Sequence, residues 1–120
     1  MMGLIDTFQN KNTKRDYEIE ISCPEFTSIC PKTGQPDFAT IHIKYIPDRK
    51  CVELKSLKLY FQSYRNVGEF HENVTNRILD DFIKSCSPKK VSIIGDFNVR
   101  GGVKTIVKVE HKKSKNKRKT

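Results

Sequence analysis

The residue best suited to covalent chemistry is Cys30, in the run FTSICPKTGQPDFA (26–39), beside Pro31, close to Lys32 and Thr33, and seven residues before Asp37. A thiol of ordinary pKa near 8.5 is a weak nucleophile until a local positive field favours its thiolate, and a polar loop permits such a field. Asp37 could share a pocket with it and donate a proton if burial holds its carboxyl neutral. Each residue has a competing structural reading. Cys30 could be a small buried hydrophobe at a loop–strand junction, which local composition alone favours, and Asp37 could cap a turn after proline.

Glu53 and the pair His71–Glu72 stand at two expected helix starts, where a carboxylate can meet the N–H donors of a ligand. The helix dipole alone also explains a glutamate there, and a surface histidine at a helix start needs no ligand. Lys55 and Lys58, three apart, share a helix face that could hold a phosphorylated cofactor; a solvated basic face is the alternative. Neither GxGxxG nor GxxxxGK[ST] occurs, so a dinucleotide would have to bind by other means than a Rossmann or P-loop turn.

The elements that must position these residues follow from periodicity. Residues 1–15 carry no sustained period and read as flexible. From Asp16 a period-two pattern (Tyr17, Ile19, Ile21) predicts a strand ended by Pro24. Two prolines and a glycine make 26–36 a loop, followed by a strand with Ala39, Ile41, Ile43 and Tyr45 on one face and Pro47–Asp48 as its turn. Helical spacing predicts helices over 53–65, ended by Gly68, and 70–84, with Phe70, Val74, Ile78 and Phe82 on one face and Pro88 beyond. Val91, Ile93, Phe97 and Val99 predict a third strand, Gly101–Gly102 a tight turn, and Val103, Thr105, Val107 and Val109 a fourth. The order β-β-α-α-β-β implies an α+β fold, one antiparallel four-stranded sheet with both helices on one face. Its open edges would invite pairing with other copies in a closed ring.

Composition bounds the rest. The chain has 120 residues, 36% hydrophobic and 31% charged, with no Trp, which suits one domain assisted by oligomerisation. No window approaches the roughly 18 apolar residues of a membrane span, and no secretory leader is evident, so a cytoplasmic location is expected. The cysteines, 23, 30, 51 and 86, are scattered without a CxxC pair, so free thiols and no metal site are expected. The net charge is +9, and Lys112, Lys113, Lys115, Lys117, Arg118 and Lys119 supply six of those charges, leaving +3 for the body. Residues 112–120 read as a basic, disordered tail; with no aromatic interleaved, nucleic-acid binding is not the favoured reading.

Two stretches, FTSICPKTGQPDFA (26–39) and CVELKSLKLYFQSYRNVGEFHE (51–72), resemble the signature segments of the single-domain NADPH-dependent 7-cyano-7-deazaguanine (preQ0) reductases, and the similarity extends to about Val109. The family has Ser in part of its members where this chain has Leu54. The resemblance implies a tunnelling fold related to GTP cyclohydrolase I, here over 16–111, with subunits joined into a ring and sites between them. It implies the reduction of preQ0 to the aminomethyl base of tRNA queuosine biosynthesis. Cys30 would form a thioimidate, Asp37 would supply the proton, and two NADPH would be used per substrate. Val52, Glu53, Leu54, His71 and Glu72 would grip the deazaguanine, with Lys55 and Lys58 toward the cofactor. The zinc ligands of the cyclohydrolases are missing, so no metal is expected. The competing functions are a non-catalytic RNA-binding module using the basic tail and a zinc cyclohydrolase on the same fold.

Overall fold

The structure, a computed structural model, describes residues 5–114. In chain order the elements are β1 (Thr7–Gln9), β2 (Ile19–Ile29), β3 (Pro36–Ile46), β4 (Lys50–Val52), α1 (Leu54–Gln62), α2 (His71–Cys86), β5 (Lys90–Arg100) and β6 (Val103–Lys112). The main sheet has the order β2-β3-β5-β6 with every neighbour antiparallel, and β1 pairs with β4 in a separate two-stranded ribbon. The expected β-β-α-α-β-β order is therefore present, with two short strands added.

Alternation along β3 and β5 sends Ala39, Ile41, Ile43, Tyr45, Val91, Ile93 and Phe97 to the face covered by the helices, all at 2% exposure or less. Fully burying an apolar side chain of this size contributes about 1.5–3 kcal/mol, so this one face carries most of the driving force for folding. Edge-on ring contacts, Tyr45 with Phe82 at 4.9 Å and Phe26 with Phe61 at 5.8 Å, tie the helices to the sheet. Tyr60 donates to Asp81 at 2.5 Å and shares a 2.8 Å hydrogen bond with Tyr64, so α1 and α2 are joined by buried hydroxyls as well as by packing.

Four sequence expectations change. Residues 5–10, expected to be flexible, are ordered: Ile5 is buried, its N–H donates to the Ser85 hydroxyl at 3.0 Å, and β1 pairs with β4. A three-residue strand has no period to read. Pro24 does not end β2, because the register with β3 slips by one residue between Cys23 and Phe26; a bulge on an edge strand accommodates a proline that cannot donate. Helix α1 stops at Gln62, where bonding tightens to three-residue turns such as Tyr64 N–H to the Phe61 carbonyl at 3.1 Å. Lys112 and Lys113, assigned to the tail, are ordered. Lys112 closes β6, and Lys113 bonds Asp48 at 2.7 Å. Lys115, Lys117, Arg118 and Lys119 lie outside the described residues. Among the described residues no helix is long and apolar enough to cross a membrane.

Candidate active site

The two bulges aim the site. By strict alternation Glu25 and Thr27 would follow Cys23 toward the core; the extra residue in β2 puts Phe26 and Ser28 there instead, and Cys30 follows at the strand's end. Glycine and proline then turn the chain back. Cys30 N–H donates to the Gln35 carbonyl at 2.9 Å and Gly34 N–H to the Cys30 carbonyl at 2.8 Å, with Gly34 at φ +72°. This closed turn presents the sulfur to donors. The Thr33 hydroxyl foremost, then the N–H groups of Thr33 and Lys32, hold the Cys30 thiol below its ordinary pKa, against the opposing effects of partial burial and the nearby Asp37 charge. Backbone donors converging on an anion are the usual means of activating a thiolate.

The loop between the helices brings α2 to the same place. Ile29 N–H donates to the Val67 carbonyl at 3.0 Å and Glu69 N–H to the Ile29 carbonyl at 3.1 Å, which pins this linker beside the end of β2. Helix α2 has no side-chain cap at Phe70. Glu69 supplies an acceptor instead, to Phe70 N–H at 3.1 Å and Asn73 Nδ2 at 2.9 Å. His71 begins the helix with its ring stacked flat on Phe97 at 3.8 Å. That stack needs Gly95, since a Cβ there would meet Thr75 Oγ1 at 2.6 Å and the Phe97 ring at 2.9 Å. The Thr75 hydroxyl in turn donates to the His71 carbonyl at 2.9 Å.

A pocket of about 290 Å³ results, with Cys30, Asp37, His71 and Glu72 among its walls. Asp37 is 6% exposed. Its Oδ2 lies 3.2 Å from His71 Nε2 and its Oδ1 2.9 Å from Arg100 Nε. Arg100 escaped the sequence reading, which grouped Val99 with Val91, Ile93 and Phe97 in one strand. The register of β5 with β6 slips by one residue between Phe97 and Arg100, so Val99 is 61% exposed and Arg100 turns to Asp37. Only the unusual GlyGly turn after it, at φ +60° and +81°, marked the spot.

The remaining candidates stand elsewhere. Glu53 caps α1, accepting from Lys55 N–H at 2.9 Å and Ser56 N–H at 2.8 Å, and these bonds hold its carboxyl below the ordinary range. Val52 is buried, and Leu54 is 60% exposed. Leu54 and Lys58 line a second cavity of about 320 Å³ between α1 and β2, with Leu57, Phe61 and Arg65. Lys55 is exposed on the same helix. Lys58 and Arg65 give this cavity a basic rim beside an apolar floor, and neither they nor Lys55, Val52, Glu53 and Leu54 line the Cys30 pocket. Among the described residues no group of His, Cys, Asp and Glu could hold a metal ion.

Known proteins resemble the chain along most of its length. The family described as QueF-like protein matches residues 36–116. The NADPH-dependent 7-cyano-7-deazaguanine reductase of Magnetococcus marinus is 54% identical over 113 residues, 94% of this chain and 88% of that protein. The reductase of the same name from Chlorobaculum tepidum is 54% identical over 112 residues, 93% of this chain and 96% of that protein. The solved structure of the archaeosine synthase QueF-Like in the apo form superposes with a TM-score of 0.73 over 78% of this chain and 91% of the other, at 22% identity, and so shares the fold. Over sheet, helices and the Cys30 loop alike, this chain belongs to the QueF-like family of 7-cyano-7-deazaguanine reductases.

Proposed function

We propose that this chain reduces the nitrile of 7-cyano-7-deazaguanine to the primary amine, using Cys30 as nucleophile and Asp37 as proton donor, in tRNA queuosine biosynthesis. The observation that carries the reading is a thiol with three local donors in one pocket with a buried carboxyl, a stacked histidine and Glu72.

The chemistry balances with these groups. The Cys30 thiolate adds to the nitrile carbon while nitrogen gains a proton from Asp37, giving a thioimidate; covalent addition turns a poor hydride acceptor into an electrophilic carbon. NADPH supplies a hydride at each of two reductions. After the first, the hemithioaminal expels the thiolate, which frees Cys30 and leaves an imine; the second, with a proton taken up at nitrogen, gives the amine, which departs. Asp37 is buried in the same pocket as Cys30, where its carboxyl is kept from bulk water. Glu72, exposed in the wall of the pocket, can accept from both N1–H and the exocyclic amino group of the base, and His71 flanks it.

Val52, Glu53 and Leu54 complete the grip, and Lys55 and Lys58 hold cofactor phosphate, from a neighbouring copy in a ring of subunits. The exposed apolar side chains Leu54, Val99, Val103 and Ile106 and the outer strands β2 and β6 support such an assembly. A cytoplasmic setting, reducing enough to keep four free cysteines, goes with it.

Two measurements test the reading together: NADPH absorbance with limiting nitrile, and the intact mass of protein mixed with nitrile alone. Two NADPH consumed per nitrile, with an adduct that disappears in Cys30→Ala, is the expected result. Full turnover in Cys30→Ala would overturn it.

A further inference from the structure

We infer that Arg100 is a positioning residue for the proton donor: its guanidinium holds one oxygen of Asp37 and the return limb of the Cys30 loop, and so directs the transferable proton to the other oxygen. Three consecutive residues are gripped by one side chain. Nη1 donates to Gln35 Oε1 at 3.2 Å, Nη2 to the Pro36 carbonyl, and Nε pairs with Asp37 Oδ1 at 2.9 Å. The Gln35 carbonyl in turn accepts from Cys30 N–H. One fork therefore fixes both the acid and the turn that presents the nucleophile.

The directional consequence follows from the donor inventory. An arginine has no acceptor and keeps its protons, so Oδ1 cannot carry the acidic hydrogen while Nε–H occupies it. The proton must sit on Oδ2, the oxygen facing His71 Nε2 at 3.2 Å. The charged and titratable groups around Asp37 are Cys30 from the loop, Glu69 from the linker, His71 and Glu72 from α2, and Arg100 from β5. Of the positively charged side chains among them, Arg100 alone contacts Asp37 independently of pH. A one-residue bulge beside a site is a recurrent way to re-aim a side chain. Here it moves Arg100 from the outer face of β5 onto the acid.

This inference rests on the covalent reading above, and a double-mutant cycle separates the two. The rate of adduct formation with the nitrile alone is measured against pH by intact mass in the native assembly, for the unmodified protein, Arg100→Gln, Asp37→Asn and the double variant. No cofactor is present, so an effect on its binding cannot contribute. Arg100→Gln should slow the adduct about 10- to 100-fold, the scale of one charge-assisted hydrogen bond lost at a reacting centre. It should also shift the pH profile of that rate, because the cation paired with Asp37 is removed. In the Asp37→Asn background the same change should add less than about 2-fold. Equal slowing in both backgrounds, or a profile lowered without moving, would overturn the clamp.

If the unmodified protein forms no adduct, the covalent reading fails. The clamp is then read from iodoacetamide alkylation of Cys30, which feels the Asp37 charge. A profile that Arg100→Gln shifts when Asp37 is present, but not in the Asp37→Asn background, sustains it; equal shifts refute it.

Discussion

Cys30 lies on a turn that aims the Thr33 hydroxyl and two N–H groups at its sulfur, whereas Cys86 closes the last turn of α2 at 1% exposure against the core. The two thiols move in opposite directions. Local donors bring Cys30 below its ordinary value, while burial foremost, and then the neighbouring Cys51, push Cys86 up to about 12. Nothing in the residue type separates them. The comparison teaches that reactivity comes from backbone donors left free by an irregular loop, because a helix spends its donors on itself and leaves a terminal thiol only apolar neighbours.

The largest expected effect is the direct contrast. At neutral pH iodoacetamide should alkylate Cys30 faster than Cys86 by on the order of a thousandfold or more, since a thiol titrating near 12 has almost no thiolate at pH 7 and is sealed from the reagent. Peptide mass mapping over a time course reads both rates in one sample. Comparable rates would dissolve the comparison.

A second contrast lies in stability against pH. Cys86 is pushed up to about 12, and so is Tyr45, foremost by burial. For an acid raised on folding, the contribution is fully present below the unfolded pKa, near 9 for the thiol and 10 for the phenol, and is lost as pH climbs to the folded value. The urea midpoint should therefore fall between pH 9 and 12, each group contributing a slope of up to about 1.4 kcal/mol per pH unit. Cys86→Ala should flatten that fall. Cys30, lowered on folding, has the opposite sign: whatever it contributes is present above its unfolded pKa and disappears as pH drops through the folded one. A midpoint unchanged to pH 11 would show that Cys86 is not sealed.

How much of this was legible depends on where regularity holds. The sheet face through Ile41, Ile43, Tyr45, Val91 and Ile93 reads directly from alternation, and the α2 stripe of Val74, Ile78 and Phe82 from helical spacing. Strands β1 and β4, three residues each, are too short to show a period. The bulges at 23–26 and 97–100 are invisible to alternation because each inserts a single residue and flips every later side chain. That flip is why Val99, in one strand pattern with Val91, Ile93 and Phe97, is exposed while Arg100 turns to Asp37. At the site, proline and glycine pointed to the Cys30 loop, and the family-like motif pointed to Cys30, Asp37, His71 and Glu72, which line one pocket. The donors that set the thiol belong to the backbone, whose N–H groups every sequence has and only a fold can aim. Glu53 shows the converse: its helix-start signal was clear, and its two oxygens are occupied by the cap.

A finer test dissects the Cys30 turn itself. Thr33 lowers the thiol through both its hydroxyl and its N–H. Thr33→Val keeps the backbone and the branching but removes the hydroxyl, so the alkylation profile of Cys30 should move up by about half to one pH unit, a loss of about 3- to 10-fold in rate at neutral pH. An unmoved profile would assign the whole effect to the backbone.

Lys32 should give the smallest change, and it discriminates most sharply between charge and geometry. Its sequence position suggests a cation beside the thiolate, yet its contribution to the sulfur comes through its backbone N–H, and its side chain is exposed. Lys32→Ala leaves that donor in place, and an exposed ammonium in water exerts only a weak, salt-screened field. Cys30 alkylation in Lys32→Ala should therefore stay within about 2-fold of the unmodified protein, and the ratio should not change between low and high salt. A larger, salt-sensitive loss would mean that the thiolate is held by the lysine charge, and the contrast with Cys86 would then rest on a side chain instead of on the turn.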